Sequence, residues 1–120
     1  MIRFAPTWES VRHLMADIRI IAPRGEIDAG TVRDLGSALS EAAGDLSRTV
    51  MVDLSGVTFM DSSGLGALLR CHERLRRQGR PMVVIAPSGA PADQLFDVTG
   101  VRRRLHVFTE RGEGEQFLQE

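Results

Sequence analysis

The stretch "MVDLSGVTFMDSSGLGALL", Met51 to Leu69, joins two kinds of apolar periodicity through a short polar turn. With Thr49 and Val50 in front, its first residues make a nearly continuous apolar run, Thr49–Leu54. That run is too short for a helix of its own and suits a strand buried on both faces. Ser55-Gly56 marks a turn and Val57–Met60 is a second short apolar segment. From Leu65 the spacing becomes helical: Leu65, Leu68, Leu69, His72 and Leu75 share one face, with Arg70, Glu73, Arg74 and Arg77 opposite. Gly79 and Pro81 end that pattern.

The same alternation extends outward. Upstream, Ser10–Leu14 and Ile18–Ala22 are β-prone and separated by a short turn, which predicts a hairpin. "RGEID" is expected to break the second strand, Gly25 lending flexibility and Asp28 an oxygen near a helix start. From Ala29 to Ala43, Val32, Leu35, Leu39 and Ala42 recur at helical steps, and Gly44 closes the segment. Downstream, Met82–Ala86 is another buried strand, and "PSGAPADQLFDVTG" predicts a helix begun by Pro91, anchored by Leu95 and Phe96 and ended by Gly100. Leu105–Phe108 gives a last short strand and "EGEQFLQE" an acidic C-terminal helix. Helices alternating with short apolar strands imply an α/β fold, a mixed sheet of about four or five strands with about four helices. Residues 1–120 are expected to form one domain, without repeats or linkers.

Composition narrows the function. The chain has 42% hydrophobic and 26% charged residues, ordinary for a folded domain, so a sizeable core is expected. Its formal charge of −1 lacks the basic excess of a nucleic-acid or anionic-membrane binder. All 15 basic residues are arginine. The arginine-rich helix segment "RCHERLRRQGR" has no interleaved aromatics, so it is read as a solvated face able to rim a protein interface. Cys71 is the single cysteine, which excludes an intramolecular disulfide and fits a reducing, cytoplasmic setting. No apolar stretch approaches the ~18 residues needed to span a bilayer, so neither export nor anchoring is expected. His13, His72 and His106 have no metal-ligand spacing, and no metal or cofactor is expected.

In the turn itself, the unpaired N–H groups of a helix start and the positive end of its dipole favour an anion beside Ser62, Ser63, Gly64 and Gly66. A phosphate there belongs either to a ligand or to a modified serine. A Walker-type loop needs a lysine that this chain lacks, and the GxGxxG pattern is missing. An esterase-type nucleophile needs Gly-x-Ser-x-Gly, whereas the order here is Asp-Ser-Ser-Gly-Leu-Gly. From the turn alone, Ser62 is better read as an N-cap hydroxyl, and Asp61 and Asp28 are equally well read as residues that begin helices. Gly64 and Gly66 are read as backbone accommodation at a tight strand–helix junction, which is compatible with their use as low ground over which another protein's active site approaches.

Three segments in order, "GEID" at Gly25–Asp28, the "VDLSGVTFMDSSGLGALL" at Val52–Leu69 and "LFDVTGV" at Leu95–Val101, resemble the STAS-domain anti-anti-sigma factors, or anti-sigma factor antagonists, of the SpoIIAA and RsbV type. The resemblance spans about Asp17 to Phe108; "MIRFAPTWESVRHLM", with the sole tryptophan Trp8, matches no motif. It implies a STAS-like fold and a regulatory binding protein rather than an enzyme. By that resemblance the unphosphorylated form binds an anti-sigma factor that is also a GHKL-type serine kinase, freeing a sigma factor. Phosphorylation on Ser62 ends the binding and a PP2C-type phosphatase restores it. Asp28, Asp61, Ser62, Ser63, Gly64 and Gly66 then form the partner-binding surface, with Ser63 as the hydroxyl free to cap the helix. The expected state is a monomer or weak dimer. The alternative is a STAS adaptor in a lipid-transport or stress-sensing assembly with no sigma-factor partner.

Overall fold

A computed structural model describes the backbone of residues 2–3, 9–13 and 16–119 and the side chains of residues 17–119. Trp8 and Leu14 lie outside the described residues. In chain order the elements are β1 (Ile2–Arg3), β2 (Glu9–His13), β3 (Ala16–Ile21), β4 (Arg24–Ile27), α1 (Val32–Gly44), β5 (Arg48–Asp53) and β6 (Val57–Met60). They continue with α2 (Ser62–Arg77), β7 (Met82–Ile85), α3 (Pro91–Thr99), a 3-10 turn (Val101–Arg103), β8 (His106–Phe108) and α4 (Arg111–Gln119).

Five strands form the main sheet in the order β2-β3-β5-β7-β8, with β2 antiparallel to β3 and the remaining pairs parallel. Alternate residues of its central strands serve opposite faces. Val50 and Val52 of β5 with Met82 and Val84 of β7 enter the larger core, which they share with Leu35 and Leu39 of α1, Leu68 and Leu75 of α2 and Phe96 of α3. Met51, Val83 and Ile85 point the other way, into a smaller cluster closed by Phe117 and Leu118 of α4. Coverage on both faces explains why these strands read as unbroken apolar runs. Leu68 and Leu75 are fully buried, each contributing about 2 kcal/mol through burial alone.

A second sheet of three strands, β1-β4-β6, revises the expectation for "RGEID". Residues 24–27 are not a break but β4, antiparallel to β1 and parallel to β6, with a register shift between Gly25 and Glu26. Gly25 takes φ 97°, accessible to glycine, and its N–H bonds Gly56 O at 3.0 Å. Arg24 and Glu26 are exposed and only Ile27 is buried. α1 starts at Val32 rather than Ala29, because Asp28 closes a turn of its own. Its Oδ1 accepts from the N–H groups of Gly30 (2.9 Å) and Thr31 (3.1 Å), while Thr31 Oγ1 donates to Glu26 O at 2.8 Å. α3 follows its expected punctuation, with Pro91 at the start and Gly100 left-handed at φ 69° at the end.

Candidate functional site

Parallel β4 and β6 end side by side, Ile27 paired with Met60. The residue after each is an aspartate, so the pairing that makes the small sheet also brings Asp28 and Asp61 to one edge. The Asp61 N–H donates to Ile27 O at 3.2 Å, extending the ladder by one bond. α2 begins at the next residue. "GEID" and "DSSG", distant in sequence, therefore form one surface through strand register.

Within the turn the three cap candidates separate. Asp61 has extended backbone angles and its Oδ1 accepts from Ser63 N at 2.8 Å, which makes Asp61 the N-cap of α2. The expectation that the Ser63 hydroxyl caps the helix is corrected: Ser63 contributes its backbone N–H, and the carboxylate, a better acceptor beside the positive helix end, takes the cap. Ser62 is exposed at the first helical position and Ser63 is half-buried; neither hydroxyl makes a side-chain hydrogen bond among the described residues. Ser62 Oγ is thus the accessible, uncommitted nucleophilic oxygen of the turn.

The two glycines also separate. Gly64 is buried, and a Cβ there would lie 2.7 Å from Ile27 Cγ2 and 2.8 Å from Met60 Cε. Its small size seats α2 against the strand ends carrying Asp28 and Asp61. At Gly66 a Cβ would meet only Arg70 Nη1, at 3.2 Å, the far end of a flexible and exposed side chain.

Rival nucleophile chemistry finds no support in the geometry. His72 lies ten residues along α2 from Ser62, about 15 Å at 1.5 Å per residue. It pairs instead with His106, ring centroids 5.7 Å apart. Cys71 is buried, its Sγ 3.8 Å from Leu39 O. Burial pushes its thiol up to about 11, against the smaller opposing pull of Arg74 and Arg80. Among the described residues no three His, Cys, Asp or Glu side chains are grouped to hold a metal ion, and no helix is long and apolar enough to cross a membrane.

The family model for the STAS domain matches residues 13–114. The chain belongs to the STAS domain family. An anti-sigma-B factor antagonist of Staphylococcus aureus is 31% identical over 83 residues, covering 69% of this chain and 76% of that protein; its Staphylococcus epidermidis counterpart matches to the same extent. Among solved structures, an anti-sigma factor antagonist from Mycobacterium paratuberculosis superposes with TM-score 0.81 at 24% identity, over 97% of this STAS chain and 98% of that one. Unphosphorylated SpoIIAA superposes with TM-score 0.67 at 18% identity, over 94% and 98%. These likenesses establish the STAS fold, four helices on a mixed sheet, expected from the sequence.

Sequence reasoning missed one feature. Arg76 and Arg80, in a segment read as a solvated helix face, line a cleft with Arg102–Arg104 that lies at the opposite end of α2 from Ser62. Runs some 25 residues apart gave no signal of meeting.

Proposed function

We propose that this STAS chain is an anti-sigma factor antagonist whose unphosphorylated form binds a kinase-type anti-sigma factor and whose phosphorylation on Ser62 releases it. The observation carrying this reading is an exposed, unbonded Ser62 hydroxyl at the first position of α2, flanked by Asp61 and one strand from Asp28. The staphylococcal relatives bear the antagonist name, and the SpoIIAA fold has been solved in phosphorylated as well as unphosphorylated form. In the proposed transfer, Ser62 Oγ attacks the γ-phosphorus of the kinase's ATP. An Oγ–P bond forms, the bond to the ADP oxygen breaks, and the hydroxyl proton passes to a base on the kinase.

The product adds about −1.5 to −2 charges to a formal net charge of −1. The N-terminal helix dipole offsets part of that charge, so α2 keeps its place. A partner surface built to meet a neutral serine between two carboxylates meets a dianion instead. Like charges brought together across an interface cost several kcal/mol, so affinity falls by roughly a hundredfold or more. The test is incubation with the co-encoded kinase, ATP and magnesium, followed by mass mapping of the phosphoryl group. Expected is a single phosphate on Ser62, lost in Ser62→Ala, which keeps binding, while Ser62→Asp binds more weakly. A label elsewhere, or no label from a kinase that binds the chain, overturns the reading, the second being the outcome for a STAS adaptor outside sigma-factor control.

A further inference from the structure

A cleft of about 680 Å³ opens where the C-terminal end of α2 faces the turn between α3 and β8. Small-molecule sites commonly occupy ~300–1,000 Å³. Five arginines line it against one acidic residue, Glu73, although the whole chain carries a net charge of −1. Two of the five are neutralised internally: Arg76 by Glu73, and Arg102 by Asp93 and Asp97.

The other three keep their charge. Arg80 donates through both terminal nitrogens, to the carbonyls of Ala43 (2.7 Å), Asp45 (2.7 Å) and Arg48 (2.6 Å) and to Gln78 Oε1 (2.8 Å), which fixes the guanidinium and occupies its terminal N–H groups but leaves its charge. Arg103 and Arg104 are exposed and have no acidic partner among the described residues. The imidazole wall is equally defined. His106 is held between His72 and Phe117, whose ring centroids lie 5.7 and 4.6 Å away, and His72 Nδ1 is buried without a hydrogen-bond partner. A fixed cation and two uncompensated ones line one concave surface. Planar guanidinium forks match phosphate oxygens in pairs.

We propose that this cleft binds a small anion carrying two or more adjacent phosphate groups, with Arg103 and Arg104 as its guanidinium contacts and the fixed charge of Arg80 adding to the positive field of the cleft. The cleft is concave and of small-molecule size, which suits such an anion better than an extended polymer. The site is independent of any phosphorylation of Ser62, from which it is separated by the length of α2.

The test is calorimetric titration of the whole chain with tripolyphosphate, with ATP, and with a single-stranded DNA 20-mer. Expected is saturable 1:1 binding of tripolyphosphate, weakened at least tenfold in Arg103→Gln/Arg104→Gln with the thermal midpoint unchanged. Both substitutions lie on exposed side chains, so folding is preserved. ATP binding equal to tripolyphosphate supports the proposal with the phosphate chain as the recognised part; ATP binding tenfold tighter supports it with a nucleotide as the source. No saturable tripolyphosphate binding, equal binding by the double variant, or binding confined to the DNA overturns it.

Discussion

Replacing Gly64 with alanine tests the packing that holds the proposed phosphoacceptor turn. The new Cβ would sit 2.7 Å from Ile27 Cγ2 and 2.8 Å from Met60 Cε, about 1 Å inside the usual 3.5–4.0 Å carbon separation. Ile27 is fully buried and its branched methyl has nowhere to turn; Met60 is 5% exposed. Overpacking of this kind costs roughly 1–3 kcal/mol, against which alanine gains up to about 1 kcal/mol of helix propensity. The net loss is up to about 2 kcal/mol, a fall of up to roughly 10 °C in thermal midpoint for a domain of this size. Gly66→Ala is the matched control. Its Cβ displaces only the tip of Arg70, so the propensity gain survives and the midpoint rises by about 2–5 °C. The assay is thermal unfolding by circular dichroism of both variants beside the parent. A Gly64→Ala protein stabilised as much as Gly66→Ala would refute the close approach of α2 to Ile27 and Met60. Because those residues precede Asp28 and Asp61, slower phosphorylation of Ser62 in Gly64→Ala than in Gly66→Ala is also expected.

Asp61→Asn keeps a good N-cap and removes a charge, whereas Asp61→Ala loses about 1 kcal/mol of cap stability; only the alanine variant should melt lower, while both alter partner affinity if the charge is read. Asp53, 6% exposed, has its carboxyl pushed up by burial but drawn further down by its bonds to Ser55 and to Arg111 Nε at 2.6 Å, leaving it below the usual carboxylate range. A depressed folded-state value contributes stability that is present at neutral pH and lost as pH falls through that value. Denaturant unfolding of Asp53→Asn should therefore show a deficit of about 1–2 kcal/mol at pH 7 that shrinks below about pH 4, and a deficit independent of pH would contradict the pairing. Cys71, its thiol raised to about 11 by burial, should be alkylated by iodoacetamide at pH 8 at least about a hundredfold more slowly than in denaturant; equal rates would show that the α1–α2 contact opens readily.

Much of this architecture is legible in the sequence because it is local. β5 and β7 show as apolar runs since both faces are covered, and α3 shows through Pro91 and Gly100, whose backbone preferences act at their own positions. β4 is illegible for the opposite reason. Arg24, Gly25 and Glu26 carry no strand pattern, and only pairing with β1 and β6, elsewhere in the chain, makes them extended. The site divides the same way. "DSSG" announces a helix start and an anion-friendly turn, but Asp61, Ser62 and Ser63 all suit an N-cap, and three-dimensional angles decide for Asp61. Gly64 and Gly66 look alike until Ile27 and Met60 are placed beside one of them. The arginine cleft needs Arg80 and Arg103–Arg104 in one place, which no single window of sequence displays.

The hydrogen bonds around the turn explain why a phosphate on Ser62 would be read by a partner rather than absorbed by the fold. Asp28 is committed through Oδ1 to Gly30 and Thr31, and Asp61 through Oδ1 to Ser63. Neither carboxylate can swing away from an arriving dianion without giving up bonds that order the starts of α1 and α2. Arg70, the nearest exposed cation along the helix, projects past Gly66 on a flexible side chain and offsets only part of the charge. The cations of the cleft stand at the far end of α2, beyond the roughly 8–10 Å over which charges act through salt solution. The added charge therefore stays concentrated at the Asp28–Asp61–Ser62 edge. With the backbone held, the surface potential at that edge is what the proposed phosphorylation would change, and a docking protein would meet that change directly.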